Sequence, residues 1–234
     1  MKIVVLTGAG VSAESGLKTF RDSNGLWEGH KVEDVATPQA FGRNAKLVHD
    51  FYNQRRRQLA QVEPNAAHTA LARLEEHFGN DFLLVTQNVD NLHERAGSRR
   101  LLHLHGELLK KRCEWCGVAS ECHVDLHVSD RCASCHRPGG MRPDIVWFGE
   151  MPYHLDEIQT ALEEADLFIA IGTSAVVYPA ATFFMTAALH GARTIEVNLT
   201  TTDKSPLFHQ QIEGPASIMV PLLVDQLTDD GPAD

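Results

Sequence analysis

The chain is 234 residues long, 43% hydrophobic and 22% charged, enough to bury a core and to fill one large domain carrying a small insert. Its 21 basic against 31 acidic residues leave a formal charge of −10, which repels nucleic acid and anionic lipid and counts against a partner of either kind. No apolar run reaches the length of a membrane span, and a core strand read directly from Lys2 leaves no room for a leader peptide, so the expected compartment is the cytoplasm.

In chain order, residues 2–6 form a short apolar run that passes into Thr7-Gly8-Ala9-Gly10-Val11-Ser12-Ala13, a buried strand, a glycine turn and the start of a helix. Residues 25–79 turn helical, with a basic, aromatic-bearing helix over 44–59 and another opened by Asn65, its apolar positions at Leu71, Leu74 and Phe78. A second buried strand at 82–86 runs into the polar stretch Gln87-Asn88-Val89-Asp90. Residues 107–140 are rich in charge and His and too poor in apolar runs to build a core without a metal. Beyond Pro143 the pattern alternates: strand 145–148, helix 155–165, strand 167–171, helix 179–190, strand 194–198 and a last strand at 217–220. Such alternation predicts an α/β fold, a Rossmann-like parallel sheet with a smaller helical and zinc-binding domain inserted. The large domain is expected to comprise residues 1–24, 78–106 and 143–234, the small one 25–77 and 107–142.

Cys113, Cys116, Cys132 and Cys135 form two C-x2-C pairs separated by fifteen residues, with Cys122 between them. This spacing predicts one tetrahedral zinc site, each pair supplying two thiolates. Four thiolates leave no open position for water, so the metal is structural and a zinc hydrolase is disfavoured. Cys122 reads as a small buried thiol.

Gly8-Ala9-Gly10-Val11-Ser12-Ala13 satisfies G-x-G-x-x-A after a strand, where glycines let a backbone approach a pyrophosphate. The same turn also serves mere tight packing of strand and helix. The acidic residue that a hydride-transfer domain carries about twenty residues on has no strand leading to it. Three expected strands, however, end in polar groups: Gln87-Asn88-Val89-Asp90, Gly172-Thr173-Ser174 and Asn198-Leu199-Thr200. Ligands of doubly wound sheets bind outside those carboxyl ends, which favours a dinucleotide.

These segments, with Ser15-Gly16-Leu17-Lys18-Thr19-Phe20-Arg21, His105-Gly106, the four cysteines and Arg142-Pro143-Asp144-Ile145-Val146-Trp147-Phe148-Gly149-Glu150, resemble the sirtuins in the same order, from Lys2 to about Pro221. The resemblance is to NAD-dependent protein-lysine deacylases, and among them to short bacterial class III members. It implies that acyl-lysine attacks the nicotinamide ribose, an alkylimidate forms, and a histidine activates a ribose hydroxyl, giving free lysine, nicotinamide and O-acyl-ADP-ribose. By the same match His105, the histidine followed by glycine, is the base; strand spacing alone puts His103 and His105 on one face and does not choose between them. His103, His93 and His68 are read as structural. The resemblance further implies that Gly8, Ala9, Gly10, Ser12, Ala13, Phe20, Arg21, Trp27, Gln87, Asn88, Asp90, Gly172, Thr173, Ser174, Asn198 and Ala216 bind NAD. Val146 and Phe148 belong to the strand that meets the acyl-lysine peptide, and residues 15–27 form a lid that orders on the cofactor.

Tyr52 and Arg55, at i and i+3, share a helix face, which Arg56 and Arg57 make readable as a merely solvated basic helix. Tyr-x-x-Arg also matches the class III signature for an acyl chain ending in carboxylate, since Arg grips a carboxylate bidentately. Succinyl- and malonyl-lysine are therefore the expected substrates, with some acetyl-lysine removal, and the partners are acylated proteins or peptides. Mono-ADP-ribosyl transfer uses the same NAD site and is the competing enzyme reading. A zinc-ribbon interaction module is opposed by the charge and by the paired glycine and Asn/Asp motifs. Oligomeric state has no signature in the chain.

Overall fold

The computed structural model describes residues 1–18, 26–27, 29–174 and 176–229, residues 26 and 27 in their backbone only. Phe20, Arg21 and the side chain of Trp27, with the rest of the expected lid at 19–25 and 28 and the tail at 230–234, lie outside the described residues.

After β1 (Ile3–Thr7) come the short helix α1 (Ala9–Ala13), the paired strands β2 (Leu26–Trp27) and β3 (His30–Lys31), and helices α2 (Val32–Val35), α3 (Pro38–Leu59) and α4 (Ala66–Phe78). There follow β4 (Phe82–Thr86), α5 (Leu92–Arg95), β5 (Leu101–His103), β6 (Gly106–Cys113), β7 (Ala119–Glu121) and β8 (Met141–Ile145). The chain continues through α6 (Leu155–Glu163), β9 (Leu167–Ile171), α7 (Phe183–Leu189), β10 (Arg193–Asn198), β11 (Gln210–Glu213) and α8 (Ala216–Asp229). Among the described residues no helix is long and apolar enough to cross a membrane.

Six strands make one parallel sheet in the order β11-β10-β9-β1-β4-β5. β1 is buried along its whole length, as a strand covered on both faces must be. Its alternate side chains feed two layers: Ile3 and Val5 pack with α4 and α8, Val4 and Leu6 with α6 and α7. The chain runs outward from β1 through β4 to β5, then returns to β9 beside β1 and runs outward the other way. The order therefore reverses between β1 and β9, and the crevice at their carboxyl ends is where such sheets bind ligands. A second, antiparallel sheet, β7-β6-β8, carries the cysteines. A third apolar cluster joins it to the helices through Phe41, Phe51, Tyr52, Leu108, Ile145 and Trp147.

The helical caps follow local chemistry. Thr37 Oγ1 accepts from Ala40 N (3.0 Å) at the start of α3, and Asn44 breaks that helix and caps its remainder, its Oδ1 accepting from Leu47 N (3.1 Å). At α4, Asn65 Oδ1 accepts from Ala67 N (3.0 Å), while Asn65 N donates to His68 Nδ1 (3.2 Å). That bond needs an unprotonated Nδ1, and burial holds the fully buried His68 down to about 4. The unfolded chain binds this proton near 6.5, so the stabilisation is complete above that pH and is lost as pH falls from 6.5 towards 4, on the order of 3 kcal/mol. We expect urea midpoints to fall over that window, and less steeply in His68→Gln, whose amide oxygen keeps the cap. Parallel curves for the two proteins would contradict this.

Three sequence expectations are corrected. Residues 217–220 are helical, not a strand: the last strand is β11, and Val220, Leu223 and Val224 of α8 pack on the sheet, so tertiary burial overrides the β-branched local run. The strand expected at 145–148 is β8, which ends at Ile145 and pairs antiparallel with β6; Pro143, lacking an N–H, is accommodated because β8 is an edge strand. β5 ends at His103 and Gly106 turns the chain with φ +79°, so His103 and His105 do not share one strand face. In addition, α7 begins at Phe183, preceded by a 3-10 turn over Ala180–Thr182 rather than by helix from Pro179.

Candidate active site

The crevice between β1 and β9 is closed by glycine against glycine. Gly8 N donates to Ile171 O and Gly10 N to Gly172 O, both at 2.9 Å. A Cβ on Gly10 would stand 2.7 Å from Gly172 Cα, and one on Gly172, whose φ is +60°, 2.6 Å from Val11 N. Any side chain there would separate the two loops, so these glycines set the backbone approach at the sheet edge.

A shell of polar side chains surrounds that crossing. Asn88, 7% exposed, donates through Nδ2 to Gly8 O and Ser12 Oγ, both at 3.1 Å, and its N–H donates to Thr86 Oγ1 at 3.0 Å. Asp90 Oδ1 accepts from Leu92 N at 3.1 Å. Burial raises the Asp90 carboxyl above its ordinary range, against the opposing bonds from the Leu92 N–H and the Ser12 hydroxyl. Gln87 Nε2 donates to Thr173 Oγ1 (2.9 Å), and Asn198 Nδ2 to Thr173 O (2.7 Å). Thus Gly8, Gly10, Ser12, Gln87, Asn88, Asp90, Gly172, Thr173 and Asn198 meet at the same end of the sheet, in three hydrogen-bonded groups: Gly8, Ser12, Asn88 and Asp90; Gly10 and Gly172; and Gln87, Thr173 and Asn198. Ala9 and Ala13 lie exposed on α1, Ser174 is half-buried beyond Thr173, and Ala216 is the buried first residue of α8.

His105 stands beside this shell. Its Nδ1 lies 3.2 Å from Gln87 O. A carbonyl only accepts, so Nδ1 carries the proton and Nε2 is the basic nitrogen. Burial lowers the ring's proton affinity and the Gln87 bond opposes it, leaving a depressed pKa and a neutral ring near pH 7. His93 is also held neutral by burial, its Nε2 3.0 Å from Thr7 Oγ1.

On α3, Tyr52 and Arg55 are buried, at 0% and 8% exposure, so the solvated-helix reading of this face does not hold. The Arg55 guanidinium lies 4.7 Å over the Phe51 ring, and Tyr52 Oη accepts from Trp147 Nε1 (3.0 Å). Burial pushes the Tyr52 phenol up, so it stays protonated. The segment after β8 ties the two groups together: Val146 N donates to His105 O (2.9 Å), Trp147 to Tyr52, and Phe148 N to Ala36 O (3.0 Å). Phe148 itself is 48% exposed. Neighbouring Arg56 is buried and bonds Leu108 O (3.0 Å) and Asn53 Oδ1 (2.5 Å), whereas Arg57 pairs with Asp125 at the surface.

The four cysteine sulfurs lie within 4.8 Å of one another, with Cys113 to Cys135 at 3.7 Å and Cys116 to Cys132 at 3.6 Å. Zn–S bonds of about 2.3 Å place tetrahedral sulfurs about 3.8 Å apart, so the set fits zinc; S–S bonding at about 2.05 Å is excluded at these separations. N–H bonds from Cys135 and Ser134 lower the Cys132 thiol, towards the thiolate that a metal requires. Cys122 stays outside the set, buried, with its Sγ on Val124 O (3.4 Å).

A model of the Sir2 family matches residues 8–179. The chain belongs to the Sir2 family. The NAD-dependent protein deacylase of Salmonella typhimurium is 57% identical over 227 residues, 96% of this chain and 83% of that one. A crystal structure of a Sir2 homologue–NAD complex matches with a TM-score of 0.88 at 40% identity, over 97% of this chain and 90% of that one. A Sir2 protein bound to acetylated peptide matches at 0.82 and 28% identity, over 96% and 92%. In this Sir2 chain, what holds Tyr52 is a residue with no separate mark in the sequence: Trp147, within the segment 142–150 that meets the acyl-lysine peptide only by resemblance. Its ring is stacked by Arg142 (3.2 Å to the centroid), whose guanidinium forks onto Glu150 at 2.7 and 2.8 Å, and Glu150 Oε2 accepts from Trp147 N (2.8 Å). A cation, an indole and a carboxylate within residues 142–150 are the signal available for it.

Proposed function

We propose that the protein is an NAD-dependent protein-lysine deacylase that prefers acyl groups ending in a carboxylate. The observation that carries the reading is His105, its Nδ1 committed to Gln87 O and its Nε2 basic, set beside the buried Asn88–Asp90–Ser12 shell. In this reading residues 1–24, 78–106 and 143–234 form the NAD-binding domain, and 25–77 with 107–142 the smaller one. NAD supplies the electrophilic anomeric carbon and the ribose hydroxyl to which the acyl group passes. Gly8, Ala9, Gly10 and Ala13 give its pyrophosphate close backbone, Thr173, Ser174, Asn198 and Ala216 hold the adenosine half, and Gln87, Asn88, Asp90 and Ser12 orient the nicotinamide ribose. Gly172 leaves room for that approach, while Phe20, Arg21 and Trp27 complete the cofactor loop. His105 Nε2 takes the hydroxyl proton as the acyl carbon changes hands, and returns it as lysine leaves. One water is consumed to replace the oxygen the acyl carbon leaves on the ribose, and the products are nicotinamide, free lysine and O-acyl-ADP-ribose. Zinc on Cys113, Cys116, Cys132 and Cys135 holds the small domain and takes no part in the chemistry.

Val146 and Phe148 line the strand that receives the acyl-lysine peptide, and Tyr52 with Arg55 closes the end of the acyl pocket. A desolvated Arg–carboxylate pair is worth about 2–3 kcal/mol, which acetyl-lysine does not draw on. Arg55→Met is expected to lower kcat/KM on succinyl-lysine peptide about fifty- to hundredfold while acetyl-lysine turnover stays within about threefold. Equal losses on the two peptides would refute the carboxylate preference.

A further inference from the structure

Two imidazoles reach the same stretch of backbone. His105 Nδ1 donates to Gln87 O (3.2 Å) and His103 Nδ1 to Asn88 O (3.0 Å). They differ at the other nitrogen, where His103 Nε2 lies 2.7 Å from Glu94 Oε1. A carbonyl and an ionised carboxylate both only accept, so the two bonds coexist only when His103 carries a proton on each nitrogen. In the neutral ring one lone pair faces an acceptor, and His103 is only 7% exposed, so water cannot relieve it.

We propose that His103, an imidazolium clamped between the Asn88 carbonyl and the Glu94 carboxylate, is a positioning residue for deacylation that fixes the Gln87–Asn88 backbone carrying the site. This rests on the deacylase reading. The lever is short: Asn88 is bonded through its carbonyl to His103, through its N–H to Thr86 and through its side chain to Gly8 and Ser12. The carbonyl one peptide unit earlier, that of Gln87, sets the tautomer of His105. Releasing His103 lets the Asn88 peptide turn, and both His105 and the Asn88 carboxamide lose their reference.

The groups facing the ring agree with a charged state. Glu94 comes from α5, and Glu107 from β6, its carboxylate within 4.8 Å and also held by Lys110 Nζ at 2.6 Å. Asp90 lies in the preceding loop, and His93 on α5 stays neutral. Burial disfavours the imidazolium, but the bond and charge of Glu94, the Asn88 carbonyl and Glu107 outweigh it and raise the pKa. The proton affinities of the two histidines are thus displaced in opposite directions, that of His103 up and that of His105 down. Activity rises with pH as His105 loses its proton and falls as His103 loses its own.

Glu94 is 37% exposed in its side chain, so Glu94→Gln leaves the fold intact, which the melting temperature checks. We expect this variant to move the alkaline limb of kcat/KM for NAD to lower pH while the acidic limb stays in place. His103→Asn, which keeps a donor at the Nδ1 position without the charge, is expected to abolish that alkaline limb and lower kcat about tenfold, with the KM for acyl peptide within about twofold. In ligand-free protein, long-range 1H–15N spectra should show both His103 nitrogens protonated at pH 7, with a titration midpoint that falls in Glu94→Gln. An active enzyme whose alkaline limb is unmoved in both variants, or a His103 midpoint unchanged by Glu94→Gln, overturns the clamp alone. Wild-type protein that releases no nicotinamide overturns the deacylase reading and the positioning role with it.

Discussion

Replacing His105 by Ala is expected to lower NAD-dependent deacylation about a thousandfold while the melting temperature stays within a degree or two of wild type. The ring makes one hydrogen bond, to Gln87 O, and is half-buried, so its loss leaves little of the fold unsupported. Its removal does, however, take away the basic nitrogen beside the Asn88–Asp90 shell, and none of the neighbouring histidines replaces it. His93 is bonded to Thr7 and held neutral deep in the fold, and both nitrogens of His103 are engaged. Steady-state release of free lysine and O-acyl-ADP-ribose with a saturating acyl peptide measures the effect, because the proton that His105 takes moves only after nicotinamide has left. Turnover within tenfold of wild type would remove His105 from the chemistry.

Stripping zinc should have the other large effect. Structural zinc in small four-ligand modules contributes on the order of 10 kcal/mol of folding energy. The cysteine segment has little else: its own apolar cluster is Cys113, Cys132 and Met141, with Cys135 packed against it. The damage reaches the site because the segment enters through β6, which begins one residue after His105, and leaves through β8, which ends one residue before Val146. We expect chelation to unfold residues 113–141 and turnover to fall at least tenfold, both recovering on return of one zinc per chain. Trp115, whose Nε1 donates to Pro138 O (3.3 Å) across the module, reports the unfolding by fluorescence. Full activity with an unchanged Trp115 signal after complete removal of the metal would contradict the structural role.

Parts of this architecture are legible in the chain because burial on both faces leaves no polar interruption. Phe82–Thr86 and Leu167–Ile171 read as strands to the residue, each an unbroken apolar run closed by a polar turn. The helix starts at Asn44 and Asn65 are equally local, since a capping side chain bonds a backbone N–H only two or three residues away. Residues 217–220 mislead for the complementary reason. Their side chains favour a strand, and only the sheet surface under Val220 and Val224 makes them a helix. The candidate site divides the same way. Its glycine crossing and polar strand ends are marked by residue type and position. The supports of the site, Trp147 under Tyr52 and Glu94 beside His103, join positions 95 and 9 residues apart and become visible only when the chain is folded.

The most direct test of the account is the fate of the acyl group. With NAD and a succinyl-lysine peptide, the protein should release one nicotinamide for each lysine freed, and mass spectrometry should find the succinyl group on ADP-ribose. Free succinate released while NAD stays intact, or ADP-ribose attached to protein with the succinyl-lysine untouched, would contradict it.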